Sequence, residues 1–184
     1  LVIPEVKESG GIVPTSSTTA QLALGDALAI SAMQYKKFGK FDFKKIHPAG
    51  NLGAQLKTVE DIMLTGNKIP FVNENRKMSE AIKILSNKNL GILIIQNKLK
   101  KTIGIVTDGQ IRRFNQKKLN LLSMKVKEIM TKNPISVEKN SLAAKALALM
   151  NNKKITSLCI YDKKNKYKTI GVVHIHNILQ HNIS

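Results

Sequence analysis

Tryptophan is absent from the 184 residues, and the aromatic share is only 4 %. Proteins that grip single-stranded nucleic acid stack bases on aromatic faces set among basic side chains, and no such interleaving occurs here. Acid is scarce as well, with 12 Asp and Glu against 30 Lys and Arg, a formal net charge of +18. That excess is almost all lysine, spread evenly in company with Asn and Ile. A solvated lysine-rich surface therefore explains the charge, and a nucleic-acid partner is not expected.

Long apolar runs are missing too. "GILII" falls far short of the roughly 20 residues that cross a bilayer, and "LALGDALAI" carries Asp26 in its middle. No membrane partner is expected, and the protein should be soluble and cytoplasmic. One cysteine, Cys159, cannot close an internal disulfide, which suits a reducing compartment, and its place in "SLCIY" makes it a buried core thiol. The chain opens on Leu1, and "LVIPEV" is an apolar, strand-like run without a basic leader. We expect a piece of a longer protein, not a targeting signal.

What is present is an internal repeat with a period of about 67 residues. "VEDIM", ending at Met63, recurs as "VKEIM", ending at Met130; "SEAIKILSNKNLGILII" matches "AKALALMNNKKITSLCI"; "TIGIVTDGQI" matches "TIGVVHIHNI". Each copy predicts a short strand, an amphipathic helix with apolar residues at i, i+3 and i+4, two further β-rich runs and a second helix. Ser79 and Ser141, just ahead of the first helix of each copy, are expected N-caps. One such β-α-β-β-α unit leaves an apolar sheet face exposed, so the two copies should pack together.

Upstream of Val59 the chemistry changes. "GGIVPTSSTTAQLALGDALAISAMQ" holds a Gly-Gly turn, a proline, five consecutive hydroxyl residues and then a helix expected to begin near Thr18, with Gln21 completing a capping box. Hydroxyls at a helix N-terminus suit either an over-capped helix or a phosphate monoester held by free N–H groups. Further on, "KIHPAGNLGAQL" presents His47 before a proline, with glycines nearby that permit tight turns. A histidine titrating near neutrality is suited to acid/base work from such a loop.

The repeat resembles a tandem pair of CBS domains, from Val59 to about His181. Together with "PTSSTTAQLALGDALA" and "HPAGNLG", the whole chain resembles the C-terminal portion of bacterial D-arabinose 5-phosphate isomerases, which join a sugar isomerase (SIS) domain to two CBS domains. The resemblance implies an α/β chain: the C-terminal remnant of a doubly wound SIS domain over 1–58, one CBS domain over 59–122 and a second over 123–184. It implies interconversion of D-ribulose 5-phosphate and D-arabinose 5-phosphate, an intramolecular oxidoreduction on the way to the Kdo sugar of lipopolysaccharide. The resemblance implies catalytic roles for His47, which maps onto the family's functional histidine, and for Glu8, which maps onto its glutamate, with Glu5 as the fallback. Ser16, Ser17 and Thr18 map onto the hydroxyl loop beside the sugar phosphate. Family active-site lysine and glutamate residues fall upstream of Leu1, so either the chain is an incomplete isomerase or it is a non-catalytic CBS binding or oligomerisation module with an SIS stub.

In CBS domains that hold adenosine nucleotides, a Thr or Ser is commonly followed three residues later by an Asp for the ribose diol. Here the pairs are Thr107 with Gln110 and His174 with Asn177, and an amide lacks the charge-assisted bond of a carboxylate. The expected ligand cleft comprises Thr107, Asp108, Arg112 and His174, with Arg113 beside them, and its candidate occupant is a nucleotide or sugar nucleotide. His174, His176 and His181 lack a neighbouring carboxylate or thiolate, so no metal site is expected. No cofactor is implied, and self-association into a homo-oligomer is.

Overall fold

The computed structural model describes residues 5–46, 50–116 and 120–183. The chain divides into two compact units, Leu1–His47 and Pro48–Ser184. The first holds α1 (Ser16–Tyr35) and α2 (Lys40–Ile46). No residue of the unit whose exposure is described is buried, and Leu22, Leu28, Ile30 and Tyr35 of α1 are all exposed. Those side chains point around the full circumference of the helix, unlike the single apolar stripe of a helix that lies on one surface.

The second unit begins with α3 (Gly50–Gln55) and then carries the two repeats. The first consists of β1 (Phe71–Asn73), α4 (Met78–Lys88), β2 (Ile92–Gln96), β3 (Thr102–Thr107) and α5 (Asp108–Gln116). After α6 (Val126–Ile129) and β4 (Thr131–Lys132), the second consists of β5 (Ser136–Glu138), α7 (Ala143–Lys153), β6 (Ser157–Asp162), β7 (Asn165–His174) and α8 (Ile175–Leu179). Both therefore have the expected β-α-β-β-α order. In each sheet the first strand runs parallel to the second and the second antiparallel to the third, giving orders β1-β2-β3-β4 and β5-β6-β7.

The lead-in segment of each repeat packs into the other repeat. Val126 and Ile129, ahead of the second copy, belong to the core formed by Met78, Ala81, Leu93 and Val106 of the first. Val59 and Ile62, ahead of the first copy, belong to the core of Ala146, Met150, Leu158 and Ile160 of the second. The same exchange appears in the sheets: β4 pairs with β3, and Leu64 bridges to Val172 of β7. A third apolar cluster of Ile69, Ile92, Ile94, Cys159 and Val172 joins the two sheets.

This exchange corrects the expected helix caps. Neither Ser79 nor Ser141 is an N-cap: α4 starts at Met78 after Lys77, α7 starts at Ala143 after Leu142, and neither cap residue uses a side-chain bond. The cause is backbone pairing with the exchanged segment. The Met78 N–H donates to Met124 O at 2.9 Å and the Ala143 N–H to Lys57 O at 2.8 Å, so carbonyls from the lead-in segments satisfy the helix starts. Met78 and Ala143 are also fully buried, which fixes the first turn two residues earlier in α4 and one residue later in α7 than a serine cap would. At the other ends, Asn89 and Lys154 take left-handed conformations (φ 50° and 53°) and stop α4 and α7.

Candidate functional site

Two places carry chemistry, one in each unit. In the first unit, the helix expected to start near Thr18 starts at Ser16, with Thr15 as the flanking residue and no Thr18–Gln21 capping box. Glu8 takes that role. Its Oε2 accepts the N–H groups of Thr15 (2.7 Å) and Ser16 (2.9 Å), and Oε1 that of Ser17 (3.2 Å). Hydrogen bonds from the Ser17 side chain and the Thr15 backbone hold this carboxyl down at about 2. The hydroxyls of Thr18 and Thr19 turn back to donate to Thr15 O at 2.8 and 3.0 Å. The backbone N–H groups considered for a phosphate are thus occupied by the protein's own carboxylate. His47 lies outside the described residues.

In the second unit, the four residues expected to share a cleft do share one. Thr107, Asp108, Arg112 and His174 line a cavity of about 600 Å³ between the repeats. The ends of β3 and β7 build it, because each strand turns there into a helix. At the first turn, Gln110 Oε1 accepts the Thr107 N–H (2.9 Å), while its Nε2 donates to Thr131 Oγ1 (2.7 Å) and Ile129 O (3.3 Å). At the second, Asn177 Oδ1 accepts the His174 N–H (3.1 Å). The two amides that stand where nucleotide-binding repeats place an aspartate therefore close strand-to-helix turns; Gln110 also pins the lead-in segment of the second repeat.

The charged groups are differently disposed. Arg112, Arg113 and Lys154 face the cleft, and none of the three makes an ion pair among the described residues. A Cβ built on Gly109 would lie 3.9 Å from Arg113 Nη1 and 3.9 Å from Thr107 Oγ1, so the guanidinium folds back over the first turn of α5. The Asp108 carboxylate covers Gly91, whose φ of 61° and lack of a Cβ leave it room; an added Cβ would stand 3.1 Å from Oδ2. His174 Nδ1 accepts the His176 N–H (3.2 Å), which keeps the neutral ring protonated on Nε2. Burial, and then the nearby His176, hold the His174 pKa below its usual value. The Ser157 Oγ is buried without a hydrogen-bond partner in the same wall.

Lys154, Ser157 and the apolar Ile135 and Ile155 also line the cleft and carry no motif in the sequence, although the repeat register sets Lys154, Ile155 and Ser157 against Asn89, Leu90 and Ile92 of the first copy. Among the described residues, no group of three or more His, Cys, Asp or Glu could hold a metal ion. His181 instead pairs its Nδ1 with Asn177 O at 2.7 Å. No helix among them is long and apolar enough to cross a membrane. Burial pushes the Cys159 thiol up to about 12, the behaviour of a core thiol rather than a nucleophile.

Comparison with known proteins matches these features. The CBS domain model matches residues 59–117 and 126–183. Arabinose 5-phosphate isomerase KdsD of Salmonella typhi is 39 % identical over 171 residues, covering 92 % of this chain and 51 % of that protein. An uncharacterized protein of Rickettsia prowazekii is 38 % identical over 100 % of this chain and 56 % of its own length. The chain thus spans about half the length of these curated relatives. Among solved structures, CBSX2 in complex with AMP superposes with a TM-score of 0.60 at 21 % identity, covering 68 % of this chain and 95 % of that one. The CBS domain pair of MJ0100, in complex with 5′-methylthioadenosine and S-adenosyl-L-methionine, gives 0.59 at 25 % identity, covering 68 % and 94 %.

Proposed function

The chain belongs to the CBS domain family, carrying that domain twice, and from this premise we propose that it is the ligand-sensing C-terminal half of a D-arabinose 5-phosphate isomerase. The observation that carries the regulatory part is the cleft, where Thr107, Asp108, Arg112 and His174 converge between the repeats. Identity of 39 % to an arabinose 5-phosphate isomerase across 92 % of the chain supports the enzymatic part. In this reading residues 1–58 end the sugar isomerase domain.

The reaction moves a proton between the two carbons next to each other at the head of a 5-phosphosugar, through an enediol. His47 is the acid/base group; a positioned base of this kind contributes about 10² to 10⁴ in rate. Glu8 is a positioning residue. A carboxylate held at about 2 is a weak base near neutrality, and its bonds order the Thr15–Ser17 turn. Ser16, Ser17 and Thr18 then stand beside the sugar phosphate.

A second reading, a CBS binding module without catalysis of its own, is favoured by one observation: no residue of the first unit whose exposure is described is buried. Turnover of D-ribulose 5-phosphate by the chain separates the two. Turnover that is abolished by His47→Ala and altered by a cleft ligand supports the isomerase reading. No turnover, with ligand binding at the cleft retained, supports the binding module.

A further inference from the structure

Folding concentrates the lysine that the sequence spreads. Residues 97–101, between β2 and β3, and 162–168, at the turn between β6 and β7, together hold seven lysines against one carboxylate, Asp162. The two turns are far apart in the chain and adjacent in the fold: Thr102 and Thr169, just beyond them, touch through their hydroxyls at 2.8 Å, and Lys101 Nζ stands 5.4 Å from the centre of the Tyr167 ring. They sit at the opposite ends of β3 and β7 from the cleft, which Thr107 and His174 line.

Both turns carry one pattern, Asn97-Lys98-Leu99-Lys100 and Asn165-Lys166-Tyr167-Lys168. In each, the asparagine Oδ1 accepts the N–H two residues on, from Leu99 at 3.0 Å and from Tyr167 at 3.1 Å. Such bonds fix the turn, and the larger side chain is left outside: Leu99 is 76 % exposed and Tyr167 68 %. Each stands between two exposed lysines.

None of the seven lysines makes an ion pair among the described residues. Asp162 is already engaged, by Lys139 Nζ at 3.1 Å and by the Lys164 N–H at 3.0 Å. Glu74 and Glu138 lie back at the roots of the hairpins, where Glu74 bonds to Gln96 and Glu138 pairs with Tyr161. The tips therefore present positive charge, and their partner is anionic. A second copy, with 12 Asp and Glu against 30 Lys and Arg, is a poor match. Lysine lacks the arginine fork that grips phosphates in pairs, and a leucine tip gains nothing against a nucleic-acid backbone. On a lipid surface both features count: lysines are drawn to anionic headgroups, and apolar or amphipathic tips enter the boundary beneath them.

We propose that the paired β2–β3 and β6–β7 turns dock on a membrane of anionic phospholipids, with Leu99 and Tyr167 entering the headgroup layer and the lysines around them held by its negative charge. The contact lies on the surface and needs no spanning helix. It revises the expectation of no membrane partner, which rested on the shortness of the apolar runs, and it stands independently of the cleft and of the isomerase reading.

Co-sedimentation of the chain with vesicles tests this, using phosphatidylcholine alone and phosphatidylcholine mixed equally with phosphatidylglycerol. The mixed vesicles should bind at least roughly ten-fold more tightly, and less so as salt rises. Lys98→Gln, Lys100→Gln, Lys166→Gln and Lys168→Gln together should weaken that binding by roughly 50-fold or more, at up to about five-fold per lysine near the surface. Leu99→Ser with Tyr167→Ser should weaken it by roughly ten-fold, a loss that persists at high salt. As a control, Lys83→Gln, Lys127→Gln, Lys145→Gln and Lys153→Gln remove the same charge from exposed helix positions and should cost less than about five-fold. All the substituted residues are exposed, so every variant should melt like the parent. No binding to the mixed vesicles, indifference to phosphatidylglycerol, or equal losses in the two lysine variants overturns the proposal. A DNA duplex that binds as tightly as the mixed vesicles, and is lost in the same turn variants, also overturns it and assigns the patch to nucleic acid.

Discussion

The hydroxyls of Thr102 and Thr169 lie 2.8 Å apart, although the residues stand 67 positions apart in the chain. They are repeat equivalents, one on β3 and one on β7, so the contact marks the axis that relates the two halves. Thr169 is only 5 % exposed, and its N–H also donates to Thr102 Oγ1 at 3.3 Å. Thr102→Val should therefore orphan a buried hydroxyl and an amide, at a cost of about 1–3 kcal/mol in urea unfolding. Thr102→Val with Thr169→Val together should cost less than the two single changes summed, because the second removes the group the first leaves unpaired. Additive losses would mean the pair is not a coupled contact.

The glycines of the third strand of each repeat make a second paired prediction. A Cβ on Gly104 would meet Met130 Sδ at 2.6 Å and the backbone oxygen of Thr131 at 2.8 Å; the three nearest neighbours of one on Gly171 would all be Met63 side-chain atoms, with Cγ at 2.9 Å. Methionine can swing aside and a strand backbone cannot. Both alanine substitutions should destabilise, by about 1–3 kcal/mol, and Gly104→Ala more than Gly171→Ala. Met63→Ala should partly rescue Gly171→Ala, as read from melting temperatures, whereas Met130→Ala should rescue Gly104→Ala less.

These contacts also show what could be read from the sequence. The repeat and the β-α-β-β-α order follow from local periodicity and motif register, both properties of neighbouring residues, and the gathering of Thr107, Asp108, Arg112 and His174 is what the resemblance to CBS pairs implied. The exchange of lead-in segments is not local. "VEDIM" and "VKEIM" are similar enough that nothing in either says which copy it serves, and the partner is fixed by which sheet edge each can reach. The helix caps were misplaced for that reason: Ser79 and Ser141 have good capping chemistry, but Met124 O and Lys57 O arrive from the other repeat. Glu8 was singled out for catalysis, and its three backbone bonds to the start of α1 depend on a loop whose folding the sequence pattern does not specify.

Glu8→Gln should loosen the first turn of α1 without unfolding the repeats. Amide exchange at Thr15, Ser16 and Ser17 should quicken, with Thr102–Thr107 unchanged. The pH dependence follows from the depressed carboxyl. Its folded value of about 2 lies below the ordinary 4.5, so the cap is complete above about 4.5 and fades as pH falls from there toward 2. Protection that is the same in Glu8→Gln and the parent at pH 7 would contradict the cap.

His174 should titrate below the usual histidine value near 6.5. The neutral ring is the form the folded state prefers, so its contribution to stability is present above about 6.5 and is lost as pH falls below that. Removing the neighbouring ring by His176→Ala should bring the His174 titration closer to the ordinary value, observable in imidazole proton shifts. A phosphate in the cleft should raise it as well. A downward move in either case would contradict the assigned cause.

Chemical-shift mapping on the isotope-labelled chain, titrated with ribose 5-phosphate and with AMP, tests the functional account most directly. The account predicts that at least one of them perturbs the amides of Thr107, Asp108, Arg112 and His174 as one saturating set, with the Glu8–Thr19 turn unmoved. Perturbation confined to that turn, or none in the cleft with either compound, would contradict it.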